Sequence, residues 1–240
     1  MNFLLTIIEI VVVFGLLLLS KKLFGKYGVI GFMGIASVIA NIQILKSVDI
    51  LGISATVGNV LFASNFLATD ILSENYGKKT AKKGVYFALF SIVCFFAFTQ
   101  LLLAYTPNEI DFANESMHTL FELAPRISIA SVVMFFLSNI LDVNLYEWLK
   151  KKTGGKYIWL RNNLCTMLCN SLENFFFYLI AFGGTMAIGD LVGMAIAASI
   201  IEIFIALCDT PFLYISRKLK CKSETRLENG EQLDTSAASR

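Results

Sequence analysis

Six carboxylic acids stand inside long apolar stretches of this 240-residue chain: Glu9, Asp70, Asp142, Glu173, Glu202 and Asp209. No Lys or Arg lies mid-stretch to pair with them, and Arg126 and Arg161 reach in only from the ends. An ionisable group at the centre of a bilayer costs roughly 2.5–3.5 kcal/mol on insertion scales, so such groups mark functional positions by default. Protonation, a wet cavity, or a ligand rich in hydrogen-bond donors each relieves the cost. A transport site fits all three.

Helical spacing sorts these residues and their polar neighbours. Asn163, Thr166, Asn170 and Glu173 follow i, i+3, i+7, i+10, one continuous stripe edged by Asn174 and Phe177. Asn139 and Asp142 are i, i+3, with Ser138 and Tyr146 adjoining. Asn65, Thr69 and Asp70 cluster on a third helix, with Asn59 deeper. Asn and Thr also join membrane helices by hydrogen bonds, so each alone has a packing reading. Two carboxamide–carboxylate pairs on separate helices exceed what packing requires. The candidate binding residues are therefore Asn65, Asp70, Asn139, Asp142, Asn170, Glu173, Arg126 and Phe177. Glu9 reads either as a satisfied protonated carboxyl or as a coupling group. Glu202 and Asp209, i, i+7, read as structural or as part of a proton path.

These residues need helices to hold them. Hydrophobic residues make up 56% of the chain and charged ones 16%, with a mean hydropathy of +0.69. Soluble domains carry about 25% charged residues. A bilayer core needs about 20 apolar residues per helix. Seven segments qualify, roughly 3–20, 28–45, 50–72, 85–105, 127–148, 164–183 and 187–215. The expected fold is thus an all-α polytopic membrane bundle, one transmembrane domain over 1–222. The Ser/Glu-rich stretch 223–240 is expected to be a disordered cytoplasmic tail. The first segment lacks the basic leader of a signal peptide, and its removal would leave six spans.

Charge placement sets direction. Eighteen of the twenty basic residues fall in the turns after the first, third and fifth segments and in the tail; only Lys46 and Arg126 fall on the other side. The positive-inside rule then predicts the N-terminus outside and the C-terminus inside. A net charge of +2 gives no reason to expect nucleic acid.

Gly189, Gly193 and Ala197 recur every four residues, and Gly28, Gly31 and Gly34 every three, both read as close helix packing. The outer loop from Asn108 to Arg126 holds the single His, His118, read as plain surface or as a lid. The five cysteines include no C-x-x-C; Cys165 and Cys169 share a face without a nearby His, so they read as packing and no metal or other cofactor is expected. The sequence has no G-x-x-x-x-G-K-[ST], H-E-x-x-H or G-x-S-x-G motif, and no nucleophile–base pair pointing to an enzyme.

Several motifs, in order, resemble the vitamin uptake transporter family, the queuosine precursor transporters. They are F-L-A-T-D-I-L-S-E-N-Y-G-K-K-T-A at 66–81, R-I-S-I-A-S at 126–131, S-N-I-L-D-V at 138–143, R-N-N-L-C-T at 161–166 and N-S-L-E-N-F-F-F-Y-L-I-A-F at 170–182. The likeness covers roughly 50–215. Family members often show Asp at Glu173 and Gln-type residues near Asn139, departures that keep the chemistry. The resemblance implies uptake of 7-cyano-7-deazaguanine, 7-aminomethyl-7-deazaguanine or queuine for tRNA queuosine salvage. The partners it implies are that 7-deazapurine and the lipid bilayer, with a homodimer left open. The rival reading is a substrate-binding subunit of an energy-coupling-factor vitamin transporter. Such subunits typically dock through an A-x-x-x-A face on the first helix, and residues 3–20 contain no Ala.

Overall fold

The computed structural model describes residues 1–122, 125–219 and 221, with side chains described except at 53–54 and 125–128. The tail at 223–240 lies outside the described residues. The order is α1 (Asn2–Gln43), β1 (Ser47–Ile50), β2 (Ile53–Thr56), α2 (Asn59–Tyr76), α3 (Lys78–Leu103), α4 (Asn114–Phe121), α5 (Pro125–Lys152), α6 (Ile158–Phe182) and α7 (Ile188–Lys218).

α1 is two arms rather than one rod. A straight helix of 42 residues would span about 63 Å. Yet Asn2 Nδ2 donates to the Asp49 carbonyl at 3.0 Å, just beyond the helix's far end. The reversal is at Gly25 (φ 62, ψ −140), a backbone state that glycine adopts without a steric penalty. Gly28 lies inside the turn, where a Cβ would stand 2.1 Å from the Ser20 carbonyl oxygen. The segments expected at 3–20 and 28–45 are these two arms.

The third expected segment starts too early. Residues 47–56 form an antiparallel hairpin with Ser47 opposite Thr56, and the helix begins only at Asn59. Leu51 (φ 53) and Gly52 (φ 84) make its two-residue turn, both with positive φ as tight hairpins require. α4, a short helix within the outer loop, was also not anticipated. It packs on α3 through Phe95–Phe121 and a Gln100 Nε2 bond to the Phe121 carbonyl.

Among the described residues five helices are long and apolar enough to cross a membrane: α1, α3, α5 from Ile129, α6 and α7. The chain is therefore a multi-pass helical membrane protein. Its outward faces carry large apolar side chains such as Leu16, Phe90, Leu137, Leu168 and Ile200, suited to lipid. α2 differs: fourteen of its 18 residues are buried. Polar residues such as Asn65, Thr69 and Asp70 would be costly against lipid, and α2 is enclosed by α1, α3, α5 and α7.

One end of the bundle gathers the lysine-rich turns. There Lys21 Nζ donates to the Ser216 carbonyl, Asn75 Nδ2 donates to Ser216 Oγ at 3.3 Å, and Lys150 meets Glu74. The hairpin, α4 and the α6–α7 turn lie at the opposite end.

Candidate functional site

A cavity of about 690 Å³ lies among α2, α5, α6 and α7 at the hairpin end, a size typical of small-molecule sites. Three carboxylates line it: the exposed Asp190, and the part-buried Glu173 and Glu202, which reach in from different helices, each fixed by a neutral donor. Ser138 Oγ donates to Glu173 Oε2 at 2.6 Å, and Asn174 Nδ2 donates to Glu202 Oε2 at 2.7 Å. The second oxygen of Glu173 and that of Glu202 have no hydrogen-bond partner among the described residues. Asn170, one turn before Glu173, also lines the cavity; it is 2% exposed and its Oδ1 accepts no hydrogen bond. Asn59 adds a further amide, its Oδ1 holding Thr56 Oγ1 at 2.7 Å. Aromatic pairs complete the lining: Phe62 with Phe135 (centroids 6.4 Å apart) and Phe177 with Tyr178 (5.3 Å). Free carboxylate and carboxamide groups among rings suit a flat, donor-rich heterocycle.

Gly189, Gly193 and Ala197, expected to pack helices, line this cavity instead. A Cβ at Gly189 or Gly193 would meet nothing within 4 Å, so the missing side chains keep the space open. Of the other glycine series, Gly28 and Gly34 sit in crowded sites, as packing requires, while Gly31 faces open space.

The structure brings Asn170, Glu173 and Phe177 together in the cavity and places Asn65, Asp70, Asn139 and Asp142 outside its lining. The separation is one of depth. Asp142 lies seven residues beyond the cavity-lining Phe135, about 10 Å further along α5 toward the lysine-rich end. There Asp142 Oδ2 accepts from Thr69 Oγ1 at 3.0 Å, while its Oδ1 and both oxygens of fully buried Asp70 have no partner. Asn139 Nδ2 bonds the Phe135 carbonyl at 2.8 Å, leaving its Oδ1 unpartnered. Asn65 is a packing residue: its Oδ1 accepts from Ser37 Oγ at 3.1 Å and its Nδ2 donates to the Leu61 carbonyl at 3.2 Å. Arg126 falls outside the residues whose side chains are described. The stripe on α6 divides as well, since Asn163 bonds Thr210 Oγ1 at 2.8 Å instead of facing the cavity.

Glu202 and Asp209 share a helix face but not a site. Glu202 lines the cavity, whereas Asp209, about 10 Å deeper, accepts from Asn162 Nδ2 at 2.6 Å. Glu9 belongs to a smaller cavity of about 220 Å³, shared with Asn2 and Lys46. His118 is paired with Glu122 at 3.5 Å on α4 and does not line the main cavity.

Sequence reasoning missed Glu74, which ties the lysine-rich end together. Its Oε2 meets Arg161 Nη2 at 2.5 Å, Lys150 Nζ at 3.3 Å and the Tyr146 hydroxyl at 3.2 Å, and its Oε1 meets Arg217 Nε at 3.6 Å. Arg161 is 1% exposed and stacks on the Tyr146 ring, 5.1 Å from its centroid. One carboxylate on α2 thus fastens α5, α6 and α7. It stands beyond the apolar run, four residues before a lysine cluster, and so falls outside the set of intramembrane acids.

The family model described as "Putative vitamin uptake transporter" matches residues 56–216, from just before α2 to the end region of α7. The "Probable queuosine precursor transporter" of Bacillus subtilis (strain 168) is 31% identical over 207 residues, which is 86% of this chain and 90% of that protein. The "Queuosine precursor transporter" of Escherichia coli (strain K12) is 28% identical over 143 residues, 60% of this chain and 62% of that protein. No solved structure shows a significant match.

Proposed function

This chain belongs to the vitamin uptake transporter family, and we propose that it imports queuosine precursors, 7-deazaguanines such as 7-cyano-7-deazaguanine, 7-aminomethyl-7-deazaguanine or queuine, for salvage into tRNA queuosine. It is a transporter and not an enzyme. One observation carries the substrate reading. Glu173 and Asn170 stand one turn apart in an aromatic-lined cavity, with hydrogen-bonding capacity that the protein leaves unused. A guanine-type edge presents N1–H and a 2-amino group together, and one carboxylate accepts from both. The adjacent Asn170 carboxamide, whose Oδ1 is unpartnered, accepts from a ring N–H. Phe177 and Phe135 offer stacking faces.

Both arms of α1, together with α2, α3, α5, α6 and α7, make seven spans with the N-terminus outside a bacterial inner membrane and the C-terminus inside. In that orientation the cavity opens outward, and the Glu74 cluster closes the cytoplasmic end. Import by alternating access requires the cluster to open while the cavity mouth closes. A single copy of the chain forms the cavity. Asp70, Asp142 and Asp209 lie between cavity and cluster, buried and with no cation within ion-pair distance among the described residues. Inward proton movement through these acids and Glu173 couples transport to the membrane gradient.

The test is uptake of a labelled 7-deazaguanine into vesicles containing the purified protein. Acidifying the outside should raise accumulation several-fold over vesicles without a gradient. Uptake indifferent to the gradient removes the coupling but keeps the substrate. No uptake of any deazaguanine removes the substrate.

A further inference from the structure

The cavity contains more negative charge than a guanine edge needs. Glu173 suffices for N1–H and the 2-amino group. Glu202 on α7 is a second carboxylate, and Asp190 a third near the exposed start of the same helix. No Lys, Arg or His is among the described residues that line the cavity. An acidic cluster is weak evidence alone, but here a buried carboxamide, Asn170, lines the same space with its Oδ1 unpartnered, so the acids face a built site.

We infer that Glu202 selects substrates that carry a positive charge on an arm beyond the flat ring, preferring an aminomethyl to a cyano substituent. This rests on the reading above that the cavity holds a 7-deazaguanine. Asn174 fixes one Glu202 oxygen, so the carboxylate is oriented before ligand arrives, and its other oxygen is left for the ligand. Tyr178 lines the same cavity as Glu202. A carboxylate beside an aromatic ring is a favourable setting for an ammonium group. A primary amine is protonated at neutral pH and donates up to three hydrogen bonds. A nitrile has no charge and no donor, so it gains nothing from Glu202. Glu173 and Glu202 line the same cavity from different helices, and a cation between two carboxylates is stabilised by both.

The test is calorimetric titration of the full-length protein with 7-aminomethyl-7-deazaguanine, 7-cyano-7-deazaguanine and guanine. The wild type should bind the aminomethyl compound at least about tenfold tighter than the cyano compound, the scale of one charge-assisted hydrogen bond. Glu202→Gln should lose that preference, with aminomethyl affinity falling about tenfold and cyano affinity staying within about twofold. Equal weakening of both ligands by Glu202→Gln overturns the inference, as does a wild type that does not discriminate. Should Glu202→Gln fail to fold, Glu202→Asp keeps the charge but withdraws it by one methylene. It should still weaken the aminomethyl compound more than the cyano compound, and equal weakening overturns the inference. A wild type that binds none of the three ligands overturns the queuosine-precursor reading itself, and this inference with it.

Discussion

Two groups of carboxylates on the same helix bundle have opposite surroundings. At the lysine-rich end, Glu74 is held by Arg161, Lys150 and Arg217 and by the Tyr146 hydroxyl. At the hairpin end, among the described residues, Glu173 and Glu202 are held by Ser138 and Asn174 alone, each through one oxygen. Cations close a carboxylate's options, whereas a single neutral donor orients it and leaves capacity for a ligand. The first arrangement fastens helices, and the second is the one we propose receives the substrate. Between them Asp70, Asp142 and Asp209 are buried, line neither the main nor the smaller cavity, and among the described residues have at most neutral hydrogen-bond donors, which is why we propose them as the proton layer.

Breaking the fastened end should have the largest effect. Arg161→Ala leaves Glu74 buried without its nearest cation, and loss of one partner from a buried ion pair costs about 3–5 kcal/mol. The remaining Lys150 places the expected loss near the lower figure. Thermal unfolding in detergent should shift down by many degrees, and a variant that melts with the wild type would deny the cluster its role as a fastener. Filling the open end should act on binding instead. Gly193→Leu puts a side chain where a Cβ meets nothing within 4 Å. Affinity for a 7-deazaguanine should fall at least about tenfold while the melting temperature stays within the range of ordinary surface changes. Unchanged affinity would place the ligand elsewhere.

The sequence makes the membrane class, the segments and the sidedness of the charges legible, because apolar length and Lys/Arg placement are properties of the chain itself. The reversal at Gly25 is also visible there, in the basic gap between two apolar runs. The hairpin is not: Ile50 read as the start of a span, and Leu51–Gly52 is a weaker turn signal than Asn-Gly. For the site, helical spacing identified Asn170 and Glu173 correctly as neighbours. It could not show depth, so Asp142 and Asn139 were grouped with a cavity that ends about two turns short of Asp142. Spacing also says nothing about what lies opposite a small residue. Gly193 therefore read as packing when it borders open space, and Glu202 went unselected although it faces the cavity.

The central claim is that Glu173 reads the guanine-type edge of the substrate inside the open cavity. Calorimetric titration of 7-cyano-7-deazaguanine, a neutral ligand, into the wild type and Glu173→Gln tests it most directly. The account predicts saturable binding to the wild type and an affinity at least about tenfold lower for the variant, with no loss of thermal stability. Equal affinity in the two proteins would contradict it.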